Sequence, residues 1–453
     1  MKYGPYPEYK DSGVAWLGEV PAPWEVKRFK NLARLNPPKS EISNTLPDME
    51  VQFLPMEMVS EDGKFSLKET RSLSEVYHGF TYFRDGDVIM AKITPCFENG
   101  KGAIVDNLEN GIGFGSTEFH VLRPTSGFSS YIWYITKSIP FRKIGIMEMK
   151  GVAGQQRVPE SFVSEFLVAT PPHGEQTTIA AFLDEKTTQI DQLIEKKTRF
   201  IELLKEKRAA LITEAVTGKF DVRTGKPYSE YKDSGVEWLG EVPSHWEVKR
   251  FKNLARLNPP KSEISNTLPD IEVQFIPMEM VSENGKVSLK ETRPLSEVYH
   301  GLTYFRDGDV IMAKITPCFE NGKGAIVDNL ENGIGFGSTE FHVLRPASGV
   351  SSYIWYITKS IPFRKIGIME MKGVAGQQRV PESFVSEFIV AVPPVEEQTT
   401  IATFLDKKNT QIDQLIEKTQ QSIDLLKEKR AALITAAVTG KIDVRDYNER
   451  NAA

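Results

Sequence analysis

The stretch EQTTIAAFLDEKTTQIDQLIEKKTRFIELLKEKRAALITEAV, Glu175 to Val216, reads as one uninterrupted amphipathic helix. Leu183, Ile190, Leu204 and Leu211 stand at heptad spacing, with Ile194 and Ile201 on the adjoining seam position, which is the pattern of a coiled-coil face. Pro171 and Pro172 stop a helix from starting earlier, Gly218 lies just past the last periodic residue, and neither proline nor glycine interrupts Glu175 to Thr217. At about 1.5 Å per residue such a helix is on the order of 60 Å long, more than a small domain's diameter, so it must leave the globule before it. A second copy runs from Glu397 to Val438, with Leu405, Ile412, Ile416, Ile423, Leu426 and Leu433 on the same seam. Two matched helices in one chain are most simply paired with each other; the alternative, that each covers its own domain, rarely needs a helix so long. Lys197 and Arg208, with Thr419 and Arg430 in the copy, fall on seam positions, so packing is expected to loosen or splay there.

A chain of 453 residues, 40% hydrophobic and 26% charged, has the length for two or three domains and the composition of a soluble globular protein. No apolar run reaches the length of a membrane span, and MKYGPYPEYKDSG lacks the apolar core of a signal peptide, so the expected compartment is cytoplasmic, with no membrane partner. Cys96 and Cys318, its two cysteines, are equivalent members of two repeats, which excludes a structural disulfide within each domain, and with six scattered histidines they build no zinc cluster. A net charge of -5 argues against indiscriminate coating of nucleic acid. It leaves room for basic residues gathered on one face, or for partner subunits that supply phosphate contacts.

Residues 9 to 222 align with residues 231 to 444 at a constant shift of 222, without a gap. Between Glu25 and Phe166 eight residues differ: Met49, Leu54, Asp62, Phe65, Ser72, Phe80, Thr125 and Phe128 become Ile271, Ile276, Asn284, Val287, Pro294, Leu302, Ala347 and Val350. Such near-identity fits a recent duplication and an engineered fusion alike. Within each copy VQFLPMEMV, DVIMAKI, GAIVDN, TEFHVLRP and FLVATPP read as short strands bounded by turn residues, and SSYIWYITKSIPFRKIGIME reads as a helix capped by Ser129 or Ser130. The expected boundaries are a globular domain over residues 1–172, a long helix over 173–220, a second globular domain over 221–394, and a second long helix with tail over 395–453.

Three loops carry candidate chemistry in both copies. AKITPCFENGKGA offers Lys92, Thr94, Asn99 and Lys101; GFGSTEFHVLRP offers Ser116; MKGVAGQQRVPES offers Lys150, Gln155, Gln156 and Arg157 between glycines. The counterparts are Lys314, Thr316, Asn321, Lys323, Ser338, Lys372, Gln377, Gln378 and Arg379. Glutamine pairs bidentately with adenine, arginine and lysine with guanine, and glycine amides approach phosphates, so this composition suits DNA reading. Each loop alone also fits a bland reading as a solvated turn. Cys96 has no nearby histidine to activate it and reads as a small buried hydrophobe, His120 as a structural strand residue, and Trp16, Trp24, Tyr131, Trp133 and Tyr134 as core. Asn36-Pro37-Pro38 and Asn258-Pro259-Pro260 are similar to the Asn-Pro-Pro of adenine aminomethyltransferases. Lys39 or Lys261 follows it, and no glycine-rich nucleotide turn accompanies it, so it reads as a loop. With no P-loop, paired metal carboxylates or G-x-S-x-G either, the chain is expected to be non-catalytic, with no cofactor and no metal of its own.

The order DVIMAKITPCFENGKGA, GSTEFHVLRP, GVAGQQRVPESFVSEFLVATPP and EQTTIAAFLDEKTTQIDQLIEK, present twice, resembles the specificity (S) subunit of type I restriction-modification systems over nearly the whole chain. The resemblance implies an α+β fold: two strand-rich target-recognition domains separated by two long antiparallel coiled-coil helices in a pseudo-twofold repeat. It further implies double-stranded DNA as ligand, two copies of a modification (methyltransferase) subunit as partners, and a restriction and translocase subunit that joins for cleavage. S-adenosylmethionine is expected on the modification subunit, not on this chain. A stiff spacer would set the half-sites about one DNA turn apart or a small multiple of it. Members of that family generally carry two dissimilar recognition domains, whereas all three candidate loops here are the same in both copies. The expected target is therefore an interrupted palindrome. The competing readings are a duplicated scaffold that binds protein, or DNA without sequence preference, and a self-sufficient methyltransferase.

Overall fold

The computed structural model describes residues 3–125, 128–152, 154–374 and 376–447. The chain divides into two units, one built from Met1–Lys197 with Gln420–Ala453, the other from Thr198–Thr419. Each unit contains one strand-rich globule and part of each of two 44-residue helices, His173–Val216 and Val395–Val438. The first helix starts directly after the Pro171-Pro172 pair, whose carbonyls are taken up by Glu175 N (2.9 Å, to Pro172 O) and the Gln176 side chain (2.9 Å, to Pro171 O). It stops where Gly218 turns left-handed at φ +71°, so that Lys219 N reaches Glu214 O (2.9 Å) and Gly218 N reaches Ala215 O (3.3 Å).

Within the first unit Asp191 pairs with Arg430 across the two helices (3.0 Å), and Ile179, Phe182 and Leu183 share a core with Ile434, Ala437 and Val438. Rising numbers on one helix meet falling numbers on the other, so the pair is antiparallel. The second unit repeats the register: Arg208 pairs with Asp413 (2.5 Å), while Ile212, Ala215 and Val216 share a core with Ile401, Ala402 and Leu405. The expected loosening at Arg208 and Arg430 is therefore corrected, because both guanidinium groups are largely covered and bridge the seam to an aspartate. Both helices also line the core of the adjacent globule, so the seam and domain-covering readings hold together.

In the first unit one four-stranded sheet runs in the order Glu69–Ser72, Glu50–Leu54, Ile112–Gly115, Thr81–Arg84, with the middle two strands parallel. A second, antiparallel sheet runs Ala33–Leu35, Phe119–Pro124, Val88–Ala91, Gly102–Ile104. Period-two alternation sorts their side chains. Leu54, Phe83, Ile89, Phe119 and Val121 close a core that joins the two sheets, Val51, Phe53 and Phe114 face a second with Leu73 and Val76, and Val88, Met90 and Leu122 face a third with Trp24, Phe29 and Phe141. Gly113 makes room for the Phe83 ring, since an added Cβ would lie 2.1 Å from it. The charged end of Arg123 is buried in the same globule, donating from Nε and Nη2 to both carboxylate oxygens of Asp87 (2.7 Å each) and from Nη1 to Glu41. Thr198–Thr419 repeats both sheets with the same strand order.

The expected strands form, but the expected continuous helix does not. Ser129–Lys137 and Ile139–Met147 are separate helices, broken at Ser138 (ψ 147°), because Pro140 lacks an N–H and its ring would clash with the preceding turn. Neither serine caps the first of them: the cap position is Phe128, and Ser129 Oγ donates to Gly86 O (2.6 Å). Residues beyond the second long helix close the first unit: Tyr9 Oη donates to Gly440 O (2.9 Å), Asp443 N to Gly4 O (2.8 Å), and Tyr447 packs edge-on against Phe182 (4.9 Å). Among the described residues no helix is long and apolar enough to cross a membrane.

Candidate nucleic-acid interface

The three candidate loops of the first unit meet through their backbones. Strand Val88–Ala91 delivers Lys92, whose N–H donates to Glu118 O (2.8 Å) and whose carbonyl accepts from Val158 N (2.8 Å). Thr94 N donates to Gln156 O (2.9 Å), and Thr94 Oγ1 accepts from Gln156 N (3.1 Å). The third loop is itself a short hairpin, with Lys150 and Arg157 exchanging both backbone hydrogen bonds (2.9 and 2.8 Å). Its turn needs glycine: Gly151 has φ +129°, and a Cβ there would sit 2.9 Å from Gln155 O. Ala153 of this hairpin, like Ala375 of the second, lies outside the described residues.

This lacing gathers Lys92, Thr94, Ser116, Lys150, Gln155, Gln156 and Arg157 into one patch. Lys150, Gln155 and Arg157 are exposed, Lys92 and Gln156 half-buried, and the Gln155 and Gln156 side-chain amides make no hydrogen bond to the described residues. Ser116 Oγ accepts from Glu118 N (3.2 Å), fixing the turn that presents Glu118. The Glu118 carboxylate takes Arg157 bidentately, from Nε (2.9 Å) and Nη2 (2.7 Å), and that hydrogen-bonded pairing holds its pKa below the ordinary carboxylate range. The second unit repeats this with Lys314, Thr316, Ser338, Lys372, Gln377, Gln378 and Arg379, where Arg379 pairs with Glu340 (2.9 and 2.7 Å).

Asn99 and Lys101 stand apart from this patch. Lys101 Nζ turns to Met56 O (3.1 Å), and Asn99 lies on a cleft of about 890 Å³ lined by Trp133, Lys137, Arg142, Asp191 and Arg430. Lys323 Nζ likewise binds Met278 O (3.2 Å), and Asn321 stands on the same turn. In that cleft Lys137 Nζ donates to the carbonyls of Glu61 (2.5 Å) and Gly100 (2.7 Å) beneath the Trp133 ring, and desolvation pushes its pKa down to about 7.

Behind the patch, His120 is buried and desolvation lowers its pKa, so the ring is neutral. Its Nε2–H donates to Val158 O (2.9 Å), leaving Nδ1 to accept from Asn36 Nδ2 (3.4 Å). Asn36, left-handed at φ +47°, accepts from Val121 N through Oδ1 (2.9 Å) and donates to Glu160. The Asn-Pro-Pro amide is thus spent on tying His120, Val121 and Glu160 together behind the hairpin. Sequence reasoning missed Glu118 and Glu160, and read Asn36 as a loop residue without its hydrogen bonds. The one available signal was a lone acid among basic and amide candidates in GSTEFH.

The Type I restriction modification DNA specificity domain family matches residues 243–425, and the shift of 222 makes residues 21–203 the equivalent span of the first copy. Over 221 residues the chain is 37% identical to the specificity subunit of the Type I restriction enzyme EcoAI from Escherichia coli, covering 48% of this chain and 37% of that protein. The chain therefore spans little more than a third of that relative's length. A chain from work on complex assembly and conformational transition of the type I R-M system matches with a TM-score of 0.65 at 16% identity, over 92% of this chain and 98% of that one. The HsdS subunit from Thermoanaerobacter tengcongensis matches at 0.51 and 15% identity, over 93% and 98%. At those identities the likeness is one of fold, and it covers both strand-rich domains and the long helices between them. Fold and sequence agree: residues 243–425 match the Type I restriction modification DNA specificity domain, and the chain is similar in sequence and in fold to specificity subunits of type I restriction enzymes.

Proposed function

We propose that this chain is the sequence-reading, non-catalytic subunit of a type I restriction-modification complex, and that its target is an interrupted palindrome. The observation that carries the reading is the laced patch of Lys92, Thr94, Ser116, Lys150, Gln155, Gln156 and Arg157, present twice with identical side chains. A preorganised surface of amides, a forked cation and lysines offers both base-edge and phosphate contacts, and its rigidity lowers the entropic cost of binding. Identical side chains require equivalent half-sites. Adenine methylation and DNA cleavage belong, in this reading, to partner subunits, with S-adenosylmethionine bound to the methylating one. The test is methylation sequencing of DNA from cells carrying this chain with its cognate methylating subunit. Methylated adenines in an interrupted palindromic motif are expected. Two unrelated half-sites would overturn the palindrome, and scattered methylation would overturn sequence reading itself.

A further inference from the structure

We propose that Glu118 and Arg157, with Glu340 and Arg379 in the second unit, form a buttressed guanine reader, so that each half-site contains a G·C pair read by the arginine. This rests on the DNA-reading function proposed above and names a base for it. A guanidinium has five N–H groups arranged as two forked edges. Glu118 occupies the Nε and Nη2 edge, at 2.9 and 2.7 Å, and Nη1 donates once to Gln155 O at 3.3 Å. One N–H on Nη1 and one on Nη2 are left. Guanine alone among the bases presents two adjacent acceptors, O6 and N7, in the major groove; adenine offers an acceptor beside a donor, thymine an acceptor beside a methyl, and cytosine a donor.

Three further features favour a base over a phosphate as the ligand. The ion pair is itself net neutral, which makes it a poorer phosphate clamp than Lys92 and Lys150 beside it, neither of which forms a salt bridge with another of the described residues. Both partners remain accessible, at 45% exposure for Arg157 and 24% for Glu118, and an ion pair of that kind contributes little to stability. The Arg157 backbone is pinned on both sides, by its exchange with Lys150 and by a bridge to Ile93, so the fork is aimed before DNA arrives. The second unit holds the same geometry, with Arg379 Nη1 on Gln377 O at 3.1 Å and exposures of 45% and 23%. Glu118 is on this account a positioning residue.

The experiment is selection of bound duplexes from a randomised pool by the full chain with its cognate methylating subunit. Wild type is expected to enrich a motif with a G·C pair at a fixed place in each half. R157K with R379K keeps the charge and removes the fork, so preference at that place should fall by roughly tenfold to a hundredfold while preference at the other positions of the motif is kept. E118Q with E340Q should broaden the same position only, and R157K alone should relax one half-site and spare the other. A motif lacking G·C in either half, or a motif that R157K with R379K leaves unchanged or weakens evenly at every position, overturns the guanine reader while the function stands. A wild-type complex that enriches no motif overturns both.

Discussion

The seam ion pairs give a quantitative test of the helix register. Two unit charges about 4 Å apart interact by about 1 kcal/mol in water and about 4 kcal/mol at the effective dielectric near a protein surface. Arg208 is 17% exposed and Asp413 is 42% exposed, so one partner lies on the protein side of that range and the other on the water side. We expect a coupling of about 1–2 kcal/mol, above the usual exposed pair and below a buried one. The perturbation is the cycle R208A, D413A and the double variant, followed by urea unfolding. The cycle cancels the contact Arg208 makes to Asn284, at 3.5 Å, which a single variant would include. Arg430 and Asp191, 16% and 32% exposed, should give the same coupling to within about 0.5 kcal/mol, and both should shrink at high salt. Couplings below about 0.3 kcal/mol in both copies would refute the register, because no other alignment of the helices brings these side chains together.

Three further outcomes follow from the geometry. Gly113→Ala places a methyl 2.1 Å from the Phe83 ring and should cost at least about 1–3 kcal/mol by thermal or urea unfolding, with Gly335→Ala matching it in the second unit. Lys137, at a folded pKa of about 7, takes up its proton less readily than the unfolded chain between about pH 7 and 10. The stability contribution of the native lysine therefore rises as pH rises through that window, and the advantage of Lys137→Met over wild type should shrink by about 3 kcal/mol between pH 7 and about 9.5; an advantage independent of pH would contradict it. Asp87→Ala strands the buried Arg123 guanidinium with Glu41 alone and should cost about 3–5 kcal/mol, whereas the joint change Asp87→Leu with Arg123→Met should recover most of that.

What the sequence made legible was what repeats at short range. Heptad spacing showed the long helices, the shift of 222 showed two equivalent units, and alternating apolar residues placed strands such as Phe119–Pro124. Features made by pairing across distance stayed hidden. Glu118 and Arg157 stand 39 residues apart, and Asp191 and Arg430 stand 239 apart, so neither spacing nor composition joins them. Asn99 and Lys101 follow Thr94 closely in sequence, yet the turn after Pro95 carries them away from the patch, with Lys101 bound to Met56. The break at Ser138 was legible from Pro140 and was outweighed by the apolar run on either side.

The first unit is sewn shut by residues from the far end of the second helix, while the second unit is continuous in sequence. During synthesis the ribosome therefore delivers every residue of the second head before it delivers Ile434, Val438 and Tyr447 to the first. Until then Ile179, Phe182 and Leu183 lack the apolar neighbours that Ile434, Ala437, Val438 and Tyr447 supply. The head translated first is therefore the one whose core is completed last.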